Sequence, residues 1–132
     1  MKKIFLSLLI LSVSLFAQYK SIYPTKEFIN SGITIVDIRT TPEWKETGIL
    51  KNAVPITFFY RDGSYNTKKF LNELRKKVDV TKPFALICHT GNRTSMVAPW
   101  LAKDMGFNVT NIKGGMDYVT KQLHIKTVPY NK

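Results

Sequence analysis

Four consecutive apolar residues, Phe84-Ala85-Leu86-Ile87, run straight into Cys88, the only cysteine of the chain. A Gly and an Arg, Gly91 and Arg93, follow within five residues, and helix-forming sequence comes next. An uninterrupted apolar run fits a central parallel strand buried on both faces, because a strand with one wet face would alternate. Parallel strands need helical crossovers, and a strand buried on both faces needs helices on both sides of its sheet. This one stretch therefore points to an α/β architecture.

The rest of the chain supplies matching units. Pro24 to Gly32 reads as a short helix, with Pro24 near its first position, Glu27 in the first turn and Gly32 as a stop. Ile33 to Ile38 is a β-branched strand. Thr41 caps a second short helix that ends at Gly48. Val54 to Tyr60 reads as a strand broken at Asp62-Gly63. Asn66 to Val78 is an amphipathic helix with Phe70, Leu71, Leu74 and Val78 on one face. Thr94 to Met105 is a helix stopped by Gly106, and Pro99 inside it predicts a kink. Val109 to Ile112 is a last strand, Gly114-Gly115 a turn, and Met116 to Leu123 a final helix. No linker or repeat interrupts this order, and 132 residues suit one domain. Sixteen aromatic residues and a 44% hydrophobic fraction are enough for a real core.

The N-terminus sets the compartment. Met1-Lys2-Lys3 gives a positive start, Ile4 to Phe16 is mostly apolar, and Ala17 offers a cleavage point. Residues 1–17 read as a secretory signal peptide and residues 18–132 as the mature domain, periplasmic or otherwise exported, with no membrane span left after cleavage. An uncleaved anchor is the alternative, and no cysteine follows the apolar run to carry a lipid. The chain's net charge of +11 falls to +9 when Lys2 and Lys3 leave. These charges are scattered in runs no longer than three, which argues against nucleic acid and fits a small anionic substrate or solubility.

Exported small domains use cysteines in pairs, and one cysteine makes no internal disulfide. Cys88 is therefore an inert core thiol or a reactive one, and its position decides. Ligands of open α/β sheets bind beyond the carboxyl ends of the strands, where Cys88 stands. The loop Cys88-His89-Thr90-Gly91-Asn92-Arg93 leads into a helix, so its backbone N–H groups can converge on an anion, the helix dipole adds positive potential, and Arg93 adds a full charge. Gly91 permits the tight turn. All of this favours thiolate over thiol and makes Cys88 a nucleophile.

At this point the sequence resembles a family. "VDIRTTPEWKETGILKNAVPI", Val36 to Ile56, is similar to the first signature of single-domain rhodaneses, and "CHTGNRTSMVAPWLAKDMGFNVTNIKGG", Cys88 to Gly115, to their active-site loop, helix and closing Gly-Gly. The match spans about Pro24 to Leu123. The resemblance implies a rhodanese-like α/β fold, an about five-stranded parallel sheet flanked by helices on both faces. It implies a thiosulfate sulfurtransferase-like enzyme in which Cys88 carries a persulfide between a donor such as thiosulfate and a thiol or cyanide acceptor. It makes His89, Thr90, Gly91, Asn92 and Arg93 the substrate-binding cradle, with Asp37 and Arg39 supporting it or forming an ordinary strand-end ion pair. It calls for no cofactor and no metal, and Cys88 with His89 and His124 are too few ligands for one. Ile49, Asn52 and Val119 depart from the family pattern, touching packing more than the nucleophile and bearing on substrate preference more than activity; the loop after Cys88 is typical of neither the thiosulfate nor the mercaptopyruvate subgroup, which leaves the donor open. Trp44 and Trp100 read as packing groups and His124 as a surface residue. A persulfide carrier for one dedicated partner, and a cysteine phosphatase or arsenate reductase with a related loop, are the competing readings. Cysteine phosphatases place five residues between Cys and Arg, as the resemblance to that group implies, whereas four intervene here. The oligomeric state is left open.

Overall fold

The computed structural model describes residues 18–131; the expected signal segment, 1–17, lies outside the described residues. Five strands form one parallel sheet: β1 (Tyr19–Ile22), β2 (Thr34–Asp37), β3 (Ala53–Pro55), β4 (Phe84–Ile87) and β5 (Val109–Ile112). Their order is β1-β5-β4-β2-β3, so the apolar run Phe84–Ile87 is the middle strand. All four of its residues are completely buried, as an unbroken apolar strand between two helical layers must be.

The helices are α1 (Lys26–Ile29), α2 (Thr41–Thr47), α3 (Thr67–Lys77), α4 (Asn92–Lys103) and the single turn α5 (Gly115–Asp117), which continues as a π-helical turn over Tyr118–Gln122. Alternation along the strands divides the core in two. Val36, Leu86 and Val109 pack against Phe70 and Leu74 of α3 and Val97 and Leu101 of α4. Ile35, Ala85, Ile87 and Ile112 face the other way, against Ile29, Met116 and Val119. Each such side chain contributes about 1.5–3 kcal/mol by leaving water.

Several boundaries differ from the sequence reading. Strand β1 is absent from that reading because its Tyr-Lys-Ser-Ile pattern is half polar. It exists because Ser21 pairs in register with Asn111, far along the chain. Strand β3 stops at Pro55 instead of reaching Tyr60; beyond it Ile56 and Phe58 still donate to Asp37 and Ile38, but Phe58 is drawn into an aromatic cluster with Phe59, Tyr65 and Phe70. Thr40, not Thr41, caps α2, and Asn66 caps α3 through Lys69 N–H. Helix α4 begins at Asn92, two residues early, and continues through Pro99 to Lys103. The final helix is broken into α5 and a π turn: the Thr120 hydroxyl donates to the Met116 carbonyl at 2.8 Å, and Leu123 N–H reaches back to Tyr118.

Candidate active site

Strand β4 delivers Cys88 to the carboxyl edge of the sheet, at its centre. The chain then turns through His89 and Thr90 to Gly91, whose φ of +96° is a conformation that a side chain would strain. That turn brings Gly91 N–H onto Cys88 Sγ at 3.2 Å. Thr94, completely buried in the first turn of α4, places Oγ1 3.6 Å from the same sulfur and donates to the Gly91 carbonyl at 3.2 Å. Cys88 is 1% exposed, so the thiol forms the floor of the loop. The opening N–H groups of α4 have no carbonyl partner one turn back, as at any helix start, and face this end of the sheet.

The loop is held from behind by α5. Met116 N–H donates to the Cys88 carbonyl at 2.8 Å and Asp117 N–H to the His89 carbonyl at 3.1 Å. A trans peptide points its N–H opposite to its carbonyl, so the next two amides, His89 and Thr90, are turned away from α5. Gly115 makes the approach possible. A Cβ there would collide with the Cys88 carbonyl oxygen and stand 2.6 Å from the His89 carbonyl carbon.

Arg93 occupies the flank of the loop and is not a free charge. Nη1 and Nη2 donate to Glu43 Oε1 and Oε2 at 2.6 and 2.7 Å, a bidentate pair joining α4 to the first turn of α2. Glu43 also accepts from Thr40 N–H and Oγ1. Burial pushes the Glu43 carboxyl up, but the hydrogen bonds and charge of Arg93, with those of Thr40, outweigh it and hold the carboxyl at about 2 against an ordinary 4.5. In return the Glu43 hydrogen bond raises Arg93 against its partial burial, and the charges of Glu43, Cys88 and Asp37 add to the effect. Arg93 therefore keeps its proton and, through Cys88, still feels the nucleophile.

Asp37 and Arg39 are a buried fork, 0% and 1% exposed. Arg39 Nε and Nη2 donate to the two Asp37 oxygens at 3.0 and 2.8 Å. Nη1 donates to Thr47 Oγ1 at 2.7 Å, and Nη2 also to the Gly48 carbonyl at 2.8 Å. The pair thus ties the end of β2 to the end of α2 rather than to the Cys88 loop. Next to it, Ile49 makes an antiparallel bridge with Val128 that seats the C-terminal segment, and Val119 is wholly buried among Ile29, Ile35 and Ile112. Of the three departures from the family pattern, Val119 packs in the core, Ile49 pairs through its backbone, and Asn52 is exposed.

The outer loop residues face solvent. His89 is exposed and its Nε2 lies 3.1 Å from Asp117 Oδ1; Thr90 and Asn92 are exposed at the rim. Sequence reading passed over Glu43, Thr94 and Asp117. A hydroxyl directly after Arg93, in the first turn of the helix that follows the cysteine, was the available signal for Thr94; nothing local marks Glu43 as the partner of Arg93. Trp44 is buried beside Tyr130 and Trp100 lies against Phe58, while His124 is exposed. Among the described residues no group of three or more His, Cys, Asp or Glu is gathered to hold a metal ion, and no helix is long and apolar enough to cross a membrane.

Comparison with known proteins agrees with this geometry. The family described as "Rhodanese-like domain" matches residues 23–122. A rhodanese-related protein of Thermoplasma volcanium is 25% identical, with 79% of this chain and 93% of that one superposed at a TM-score of 0.57. A Mycobacterium tuberculosis protein, Rv0390, shares the fold at a TM-score of 0.59 and 23% identity, covering 74% and 80% of the two chains. An uncharacterised Rickettsia prowazekii protein is 30% identical over 92 residues, 67% of this chain and 73% of its own. With its central-strand cysteine, its five-stranded parallel sheet and a family match over most of its length, this chain belongs to the rhodanese-like family.

Proposed function

We propose that the protein is a sulfurtransferase that carries a sulfane sulfur on Cys88. The observation that carries this reading is the single cysteine at the end of the middle strand, with Gly91 N–H 3.2 Å from its sulfur. A thiolate prepared by backbone amides and a helix N-terminus needs no separate general base, and none of the described His, Asp or Glu side chains hydrogen-bonds to Sγ. In the first step the Cys88 thiolate attacks the outer sulfur of a donor such as thiosulfate. The donor's S–S bond breaks and sulfite leaves with the electron pair. The new S–S bond of about 2.05 Å carries the transferable sulfur outward from the buried floor, toward the mouth of the loop. An acceptor thiolate or cyanide then attacks that outer sulfur, and the electron pair of the broken bond returns to Cys88.

The carrier reading assigns the same persulfide to a dedicated partner, and small-acceptor turnover separates the two. Four residues between Cys88 and Arg93, with Arg93 engaged by Glu43, favour one sulfur over a phosphoryl group with three equatorial oxygens. Mass spectrometry after excess thiosulfate should find one added sulfur atom on Cys88, and thiosulfate-to-cyanide transfer should vanish in Cys88→Ser. Aryl phosphate turnover with no persulfide would overturn the reading.

A further inference from the structure

Helix α3 carries the cations Lys68, Lys69, Arg75, Lys76 and Lys77 against one acid, Glu73. Glu73 lies 3.8 Å from Lys77 and answers that residue alone. The other four cations are exposed, and among the described residues none forms a salt bridge. Phe70 and Leu74 bury the inner face of the helix in the core. At about 100° per residue, Lys68, Lys69, Arg75 and Lys76 share one outward arc of about 120°, with the uncharged Asn72 inside it. Two short runs in the sequence thus become one cationic face, about 16 Å long over the 11 residues of α3. The adjoining surface is apolar. Tyr60 and Tyr65, just ahead of α3, and Met96 of α4 are large hydrophobic side chains left exposed, Tyr65 and Met96 by 58% and 59%. Tyr65 and Met96 edge a groove of about 370 Å³ lined by Phe58, Phe59 and Trp100. Lys69 Nζ lies 5.8 Å over the Tyr60 ring, which ties this patch to the cationic arc.

We propose that this face docks the protein on an anionic lipid surface, with the α3 cations against the headgroups and Tyr60, Tyr65 and Met96 at the edge of the acyl region. Charge complementarity selects the partner. Four unpaired cations on one arc meet a surface of fixed negative charge, and that attraction acts within a Debye length of the headgroups. The neighbouring side chains suit the same boundary, because a tyrosine ring leaves water there while its hydroxyl stays wet. The apolar side of α3 is already spent on the core, so the helix lies on the surface and does not insert. The arc is convex and one helix wide. It offers no channel to follow a nucleic-acid backbone, whereas a plane of headgroups meets it as it stands. The inference is independent of the chemistry at Cys88.

The test sediments the full chain with vesicles of phosphatidylcholine alone and of phosphatidylcholine with about a quarter phosphatidylglycerol. The readout is the excess affinity for the anionic vesicles, so binding common to both kinds, that of the apolar residues 4–16 included, cancels. Each cation that reaches the headgroups is worth about fivefold, so the excess should be at least a hundredfold, and it should vanish in about 0.5 M salt. Replacing Lys68, Lys69, Arg75 and Lys76 together by Gln should remove nearly all of it. Replacing Lys26, Lys51, Lys121 and Lys126, which lie on the opposite layer, removes the same charge and should leave most of it. If the α3 set misfolds, Lys76→Gln alone should still cost about fivefold and Lys51→Gln much less. Met96→Gln should weaken binding to the anionic vesicles about threefold without changing its salt dependence. No excess for anionic vesicles, or equal losses from the two charge sets, overturns the proposal. So does duplex DNA that binds more tightly than the anionic vesicles and is released by the α3 substitutions, which would give this face to nucleic acid.

Discussion

The Glu43–Arg93 pair joins two helices through a charge that can be titrated, and Glu43→Gln tests it with little change of shape. The carboxyl is held at about 2 against an ordinary 4.5. At about 1.36 kcal/mol per pH unit that difference sets a ceiling of roughly 3 kcal/mol. Glu43 and Arg93 are 29% and 23% exposed, so solvent screening lowers the expected contribution to about 1–2 kcal/mol. The sign follows from the direction of the shift. A carboxyl depressed in the folded state stabilises fully above its unfolded value of 4.5, and the gain is lost as pH falls toward 2. Urea denaturation of the wild type and Glu43→Gln should therefore differ by about 1–2 kcal/mol at pH 7, and most of that difference should have gone by pH 3.5. Freed from Glu43, Arg93 can also turn toward the loop, so the variant should load sulfur from an anionic donor at a changed rate. A stability difference that is the same at pH 7 and pH 3.5 would refute the electrostatic account and leave Glu43 a packing residue.

Other substitutions probe the supports of the loop. Arg39→Met leaves the completely buried Asp37 carboxylate without its fork and should cost about 3–5 kcal/mol, read as a lower denaturation midpoint. Replacing both partners, Asp37→Leu with Arg39→Met, should recover much of that loss, and a double variant as unstable as the single one would count against a desolvation origin. Gly115→Ala drives a Cβ into the Cys88–His89 backbone, which α5 holds from behind. Sulfur transfer should fall about a hundredfold, as expected for displacement of a catalytic group by roughly an ångström, while the far-ultraviolet circular dichroism stays native.

Some of this molecule is written in its local sequence. The apolar run Phe84–Ile87 specifies a strand buried on both faces, and the residues after it specify a turn and then a helix, so Cys88 had to stand at the carboxyl end of a central strand. Gly91 likewise marks a backbone turn that only its own residue needs to satisfy. Asp37 and Arg39 are two positions apart, so their pairing lies within the reach of a single strand end.

The rest depends on which distant segments the sheet order brings together. Ser21 and Asn111, 90 positions apart, meet because β1 adds to the edge beside β5, and the half-polar β1 shows no strand pattern until that partner is present. Glu43 and Arg93 are 50 positions apart; each alone reads as an ordinary helix-start charge, and only the packing of α2 against the loop turns them into one half-buried fork. The grip of α5 on the Cys88 and His89 carbonyls is equally invisible in a pattern of side chains, because it is made by backbone atoms that every residue carries. Periodicity and turn chemistry report how one segment meets water and its own backbone. Which charge meets which, and which amides turn toward the sulfur, is settled only when the chain closes on itself.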